Sequence, residues 1–179
     1  NMLINLKKDS EGSPIIIVFD AQGKTFRNEI YSEYKANRPP MPEELREQLK
    51  PVKSICKAIG FPLIEIEGVE ADDVISTIAL LAKKAKYKCV ISSLDKDLMQ
   101  LVEDPHITMM DTMKHKIFNE EGVFEKFGVK PSQIRDMLAL VGDASDNIPG
   151  IPKVGQKTAA KWLAAVSYTH LTLPTNGCV

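Results

Sequence analysis

The chain has 179 residues, 44% apolar and 26% charged, with a formal net charge of −1. That mix is ordinary for a soluble globular protein, and the length allows one domain or one and a half, with an enclosed core. No apolar run reaches membrane-spanning length, no secretory signal is visible, and the net charge by itself announces no nucleic-acid partner.

Cys56, Cys89 and Cys178 are scattered, odd in number and never spaced C-x-x-C. This argues for a reducing compartment and against a disulfide scaffold or zinc site. Cys56 and Cys89 read as small buried hydrophobes. His106, His115 and His170 also lack zinc spacing.

"NMLINLKK" reads as the end of a helix already under way, followed by a turn at "SEGSP". "IIIVFDA" is a short β-branched run, expected to be a buried parallel strand ending at Asp20. "GKTFRNEIYSEYKANRPP" is basic and aromatic, carrying Lys24, Arg27, Tyr34, Lys35 and Arg38. The next stretch has helical spacing at Leu45, Leu49, Val52, Ile55 and Ile59, with Gly60 as its stop. "PLIEIEG" reads as a second strand. "ADDVISTIALLAKKAK" follows as a helix whose apolar face is Val74, Ile75, Ile78 and Leu81.

"YKCVISSLDKD" is a strand running into Asp95 and Asp97, and "HITMMDTMKHKIFN" resembles two short strands around a turn. From residue 120 the pattern turns helical, with Gly142 as a cap. "DASDNIPGIPKVGQKTAAKWLAAV" reads as a Pro/Gly-rich loop and a final helix. Strands alternating with helices, then helices alone, predict an α/β domain over residues 1–129 and a helical appendage over 130–166. The last stretch, 167–179, carries no charged side chain and shows no period. It resembles translated adapter sequence at the end of a gene fragment; a genuine tail is the alternative.

The carboxylates have plain explanations one by one. Asp72 and Asp73 fall in a first helical turn, where acids complement the dipole. Asp95 and Asp97 can cap "LMQLV", Asp143 and Asp146 can make local turn bonds, and Asp20 can simply end a strand. Their joint placement says more. Asp20 and Asp95 both end predicted parallel strands, the edge where open α/β sheets bind ligands, and Glu70, Asp72 and Asp73 would reach the same edge. So many carboxylates on one rim cannot all stay ionised without cations. Oxygen ligands without His or Cys favour Mg²⁺ or Mn²⁺, and two such ions suit phosphodiester hydrolysis.

At these residues the sequence resembles the 5′ nuclease family, the 5′→3′ exonuclease domain of bacterial DNA polymerase I and related flap endonucleases. The matching segments are "VFDAQGKTFRNEIYSEYKANRPPMPEELREQ", "GVEADDVISTIA", "ISSLDKDLMQLV" and "LALVGDASDNIPGIPKVGQKTA". The resemblance implies a PIN-like or resolvase-like parallel core with a SAM-like helix–two-turn–helix subdomain. It implies that Asp20, Glu70, Asp72, Asp73, Asp95, Asp97, Asp143 and Asp146 form a two-ion site, with Glu70, Asp72 and Asp95 at the nearer ion. Asp97, Asp143 and Asp146 would hold the second. Tyr34, Lys35 and Arg38 match the arch that steers the 5′ strand and scissile phosphate, and Lys24 and Arg27 extend its basic surface. A plain solvated basic face is the alternative there.

"GIPKVGQKT" nearly reads as a phosphate-binding P-loop, but Gln156 displaces the lysine and no apolar strand precedes it. The resemblance makes it the turn of the helix–two-turn–helix. There Gly150 and Gly155 would let backbone approach duplex phosphates, and Lys153, Lys157 and Thr158 would contact them. The family often binds K⁺ at this turn, so the resemblance makes K⁺ a candidate ligand here. The resemblance further implies a monomeric, cytoplasmic bacterial enzyme acting on DNA with a 5′ flap or nick, or on an RNA primer–DNA hybrid; the parent either continues into a polymerase or ends as a stand-alone nuclease. The family begins with a strand ending Asp-Gly and a Tyr-Arg motif that precede this sequence, and it continues into further helices. A weakly stable, weakly active fragment is therefore expected. A PIN-type ribonuclease, a non-catalytic DNA-binding paralogue and a strand-end D-x-D phosphatase are the rival readings; "VGDASDNIPGIPKVG", the retained acids and the single acid of "FDAQGKT" argue against them in turn.

Overall fold

The computed structural model describes residues 2–10, 12–112, 114 and 116–166. The tail, 167–179, and His115 lie outside the described residues.

Helix α1, Met2–Asp9, leads through a turn to β1, Ile17–Val18. Helix α2, Phe26–Ile30, is short, and turns carry the chain to α3, Glu43–Ile59, which stops at Gly60 in the left-handed conformation, φ 91°. Strand β2, Leu63–Ile64, precedes α4, Ala71–Lys84, and β3, Cys89–Ser92. A 3₁₀ turn, Asp97–Leu101, leads to the hairpin of β4, Ile107–Asp111, and β5, Lys116–Phe118. Then come α5, Glu120–Phe127, a 3₁₀ turn at Pro131–Gln133, α6, Ile134–Val141, and α7, Gln156–Ala165.

The strand pairing is mainly parallel, as expected, with one antiparallel edge. Among the described residues there are two sheets: β1 parallel to β2, with Ile17 opposite Leu63, and β3 parallel to β4 with β5 antiparallel at the edge. No described strand bonds to both, and the β1–β2 ladder is only two residues long. Helix α4 touches β1 and β3 and holds the two sheets side by side. The strand-end edge therefore survives as a layout around the start of α4, rather than as one continuous rim.

The main core lies under the second sheet. Ile91, Leu98, Ile107 and Met109 pack with Val123 of α5, Ile134 and Met137 of α6, and Ala159 and Leu163 of α7. The helical region thus shares its core with the α/β region, and the side chains after residue 129 are fixed by the same apolar burial. The expected inward faces are only partly right. On α4, Val74 is buried but Leu81 is exposed, and on α3 Leu45, Val52 and Ile55 are exposed while Cys56 faces in. A stripe at helical spacing shows that a helix forms; which side meets the core depends on where β2 lies, which local spacing does not encode. No helix among the described residues is long and apolar enough to cross a membrane.

Gly142 ends α6 at φ 77° and the chain folds back on it. A Cβ on Gly150 would stand 2.1 Å from the Val141 carbonyl oxygen, and one on Gly142 would stand 2.3 Å from Gly150 N. Asp143 N and Ile148 N close the loop by exchanging bonds with each other's carbonyls at 2.8 Å. Gly150 is accordingly a packing residue inside the loop, where the sequence suggested an approach to phosphate. Gly155, just before α7, has no such neighbours and remains open.

Candidate metal centre

Four segments of the chain deliver acids to one place. Asp20 leaves β1 and accepts from Ala71 N at 2.7 Å, so its carboxylate sits against the start of α4, where free amides and the helix dipole favour an anion. Glu70 precedes α4, and Asp72 and Asp73 occupy its first turn. Asp95 follows β3, and its Oδ1 accepts from Asp97 N at 2.9 Å, which starts the 3₁₀ turn. Asp143 and Asp146 come from the loop after α6. The local roles are real: Asp143 Oδ1 accepts from Ser145 N and Oγ at 2.9 and 2.6 Å. These bonds aim the carboxylates without using up their charge.

All eight acids line a single open cleft of about 810 Å³, together with Arg27, Tyr34, Lys35, Arg38 and Lys96. Carboxylates outnumber cationic side chains there eight to four. Burial pushes the Asp72 carboxyl up to about 6, helped by repulsion from Asp95, Asp20, Asp97 and Glu70. Burial does the same to Asp97, again to about 6, with Asp95 adding to it. Neither carboxylate forms an ion pair among the described residues, and Lys96 offsets only part of the effect at Asp97.

The cations answer other acids. Arg27 grips Asp73 through both terminal nitrogens, at 2.6 and 2.7 Å, which holds Asp73 below the usual carboxylate range. Lys35 Nζ donates to Glu70 Oε1 at 2.6 Å, and Arg38 donates to Asp146 Oδ1 at 2.6 Å. Lys96 pairs with Asp143 at 3.0 Å. Burial alone would raise Asp143, but the Ser145 and Lys96 bonds outweigh it and hold it low. Tyr34, expected at the DNA surface, is only 7% exposed. Its hydroxyl lies 2.9 Å from Glu70 Oε2 and 3.0 Å from Asp146 Oδ2, and burial followed by these two bonds keeps the phenol protonated. It ties the two acids together and has no free face for a base to stack on.

One group fits a divalent cation directly. Asp97, Asp143 and Asp146 each offer an oxygen, all within 4.8 Å of one another. Asp97 Oδ1 is buried and has no hydrogen-bond partner among the described residues. A buried carboxylate oxygen left unpaired is costly unless a cation meets it, and an all-oxygen set suits Mg²⁺ or Mn²⁺. Glu70, Asp72, Asp95 and Asp20 line the same cleft without forming so tight a group.

The remaining expected contacts stand apart. Lys24, Gly150, Lys153, Gly155, Lys157 and Thr158 do not line the cleft. Lys153 is exposed at φ 66°, and Lys157 and Thr158 fall in the first turn of α7, which carries no acid. Lys96 and Ser145 were missed in the sequence. Lys96 stands between two acids in "DKD", and that alternation was its only signal.

The fold and the acid-lined cleft define a class, and the family models agree. Residues 1–128 match the 5′-3′ exonuclease N-terminal resolvase-like domain, and residues 129–172 match the 5′-3′ exonuclease C-terminal SAM fold. The chain belongs to the 5′-3′ exonuclease family. It is 53% identical over 166 residues to DNA polymerase I of Pseudomonas aeruginosa, covering 93% of this chain and 18% of that one. It is 46% identical over 158 residues to a 5′-3′ exonuclease of Aquifex aeolicus, covering 88% and 54%. Among solved structures it resembles the bacteriophage T5 D15 protein co-crystallised with metal ions, at TM-score 0.80 and 28% identity, covering 91% of this chain and 65% of that one. A T5 D15 flap endonuclease complex with DNA and metal ions matches at TM-score 0.80 and 26% identity, covering 97% and 69%. The chain thus spans about half the length of the stand-alone exonuclease and under a fifth of the polymerase.

Proposed function

We propose that the cleft hydrolyses DNA phosphodiesters near a 5′ end, as a divalent-metal-dependent 5′→3′ exonuclease and flap endonuclease serving replication and repair. The observation that carries this reading is the Asp97, Asp143 and Asp146 group, with its buried, unpartnered Asp97 oxygen. These three acids would hold one Mg²⁺ or Mn²⁺, and Glu70, Asp72 and Asp95, with Asp20 and Asp73 beside them, would complete the place of a second. The ions would supply an activated water and stabilisation of the leaving 3′-oxygen.

The chain's own side chains do the rest. Lys35 and Arg38 sit where a scissile phosphate would meet the acids, and each can exchange a carboxylate for a phosphate oxygen at little cost in charge. Arg27 stays on Asp73 and limits repulsion at the start of α4. Lys153, Lys157, Thr158 and the open backbone at Gly155 would hold duplex phosphates at the start of α7, outside the cleft. Every residue in the scheme comes from one chain, so a monomer suffices. DNA work of this kind in a bacterium belongs to the cytoplasm.

The test offers a labelled 5′-flap duplex, single-stranded RNA and a phosphate monoester to the protein, each with and without Mg²⁺. Mg²⁺-dependent cutting of the flap alone is expected. Preferential cutting of RNA would replace this reading with a PIN-type ribonuclease, and binding without cutting would make the protein a non-catalytic DNA binder.

A further inference from the structure

Two stretches that contribute charge to the cleft are bonded to each other along their length. Asn37 Nδ2 donates to the Ala144 carbonyl at 2.8 Å, and Asn147 Nδ2 donates the other way, to the Glu33 carbonyl, also at 2.8 Å. Between these crossing points Lys35 N donates to the Asp146 carbonyl at 2.9 Å, and just beyond Asn37 the Arg38 Nε donates to the Ser145 carbonyl at 3.0 Å. Lys35 and Asn147 both sit in the left-handed region, at φ 57° and 58°. For lysine this conformation is strained, and the bonds to Asp146 and Glu70 over-determine it.

We propose that Asn37 and Asn147 are positioning residues: a reciprocal amide clasp that sets the register of Lys35 and Arg38 against Asp143 and Asp146. Neither asparagine carries charge, and neither lines the cleft. Each spends its amide on the opposite backbone. A slip of one residue would take the Lys35 amide off the Asp146 carbonyl and Arg38 off Ser145 and the Asp146 carboxylate together, because these contacts join the same two stretches of chain. The clasp therefore joins the phosphate-contacting cations and the metal-holding acids into one unit before substrate arrives. This rests on the nuclease reading above for what the unit does, but not for its existence.

The test uses Asn37→Ala and Asn147→Gly. Glycine at 147 keeps the left-handed backbone and removes only the amide. Three readouts are taken: Mn²⁺ affinity by calorimetry with the metal alone, hydrogen exchange at the Lys35 amide, and kcat and KM on a 5′-flap duplex. Each variant is expected to weaken Mn²⁺ binding and lower kcat by roughly 10- to 100-fold, as loss of supporting hydrogen bonds around metal ligands does. KM should change little, and the Lys35 amide should lose its protection while the thermal midpoint stays near that of the parent. Unchanged Mn²⁺ affinity and unchanged Lys35 protection in both variants would overturn the clasp. If Asn37→Ala fails to fold, Asn147→Gly decides. If both fail, the two amides are general supports of the fold and the proposal is wrong. A protein that binds Mn²⁺ but never cuts DNA would sink the nuclease reading and leave the first two readouts standing.

Discussion

Arg27 and Asp73, 46 residues apart, meet in a two-pronged pair at 2.6 and 2.7 Å, and the same carboxylate accepts from Glu70 N at 3.0 Å. Asp73 is therefore neutralised in place, while its neighbour Asp72 has no such partner and lies toward Asp95 and Asp20. Arg27→Ala should release an anion beside Glu70 and cost about 1 kcal/mol, since both side chains are about a third exposed. Arg27→Lys should recover only part, because an ammonium cannot fork across two oxygens. Urea unfolding without metal checks both. An unaltered midpoint in Arg27→Ala would mean that the pair contributes nothing to the fold.

The titration of the cleft predicts how stability follows pH. Asp72 and Asp97 have folded values near 6, above the usual carboxylate range. A group raised in this way binds more protons folded than unfolded, so its contribution is full at low pH and is lost as pH climbs through its folded value. Asp73 and Asp143 are shifted the other way, and their contribution is lost as pH falls below the ordinary range. Without divalent ions, these four groups together make stability greatest near pH 4 and make it decline as pH rises to about 6, above which the loss is complete. Mg²⁺ should remove that decline, and its stabilising effect should grow as pH rises through 6. Thermal midpoints across a pH series, with and without Mg²⁺, test this. A Mg²⁺ effect that does not change between pH 5 and 7 would contradict it.

The two loop glycines should behave oppositely. Gly150→Ala drives a methyl to 2.1 Å from the Val141 carbonyl oxygen, so backbone must move, at a cost of about 2–4 kcal/mol. Gly155→Ala meets nothing within 4 Å and should alter stability by less than about 0.5 kcal/mol. Denaturant unfolding separates them.

Lys153 and Lys157 make no ion pair among the described residues and flank the start of α7. Replacing either with alanine should weaken duplex binding equally for all sequences and lower the slope of log affinity against log salt by about 1. A sequence-dependent loss would mean base contacts instead.

Much of this was visible in the chain before any coordinates. Strand ends, helix starts and the acids at 70–73 and 95 follow from short-range period and spacing, Asp97, Asp143 and Asp146 joined them through the family resemblance, and the cleft does gather them all. What spacing could not supply was partner choice. Arg27 reads as one more basic residue until Asp73 is found opposite, and Tyr34 reads as a stacking surface until Glu70 and Asp146 enclose its hydroxyl. Asn37 and Ala144 are 107 positions apart. Such pairs leave no local pattern. The same holds for the exposed stripe of α3 and for Gly150, whose need for a bare Cα is set by Val141 from the preceding helix. The division of the mainly parallel pairing between two sheets was hidden for a related reason: strand runs can be read one at a time, but the ladder that joins them cannot.

The most direct test is a Mn²⁺ titration of the parent protein and of Asp97→Asn, with flap cleavage recorded on the same samples and circular dichroism to confirm the fold. The amide keeps the shape of the side chain and removes its charge from the group shared with Asp143 and Asp146. Mn²⁺ binding and turnover should both fall by more than the roughly 10- to 100-fold that loss of an outer supporting bond costs, with the fold intact. A folded Asp97→Asn protein that binds Mn²⁺ and cuts DNA as the parent does would show that no catalytic ion sits there.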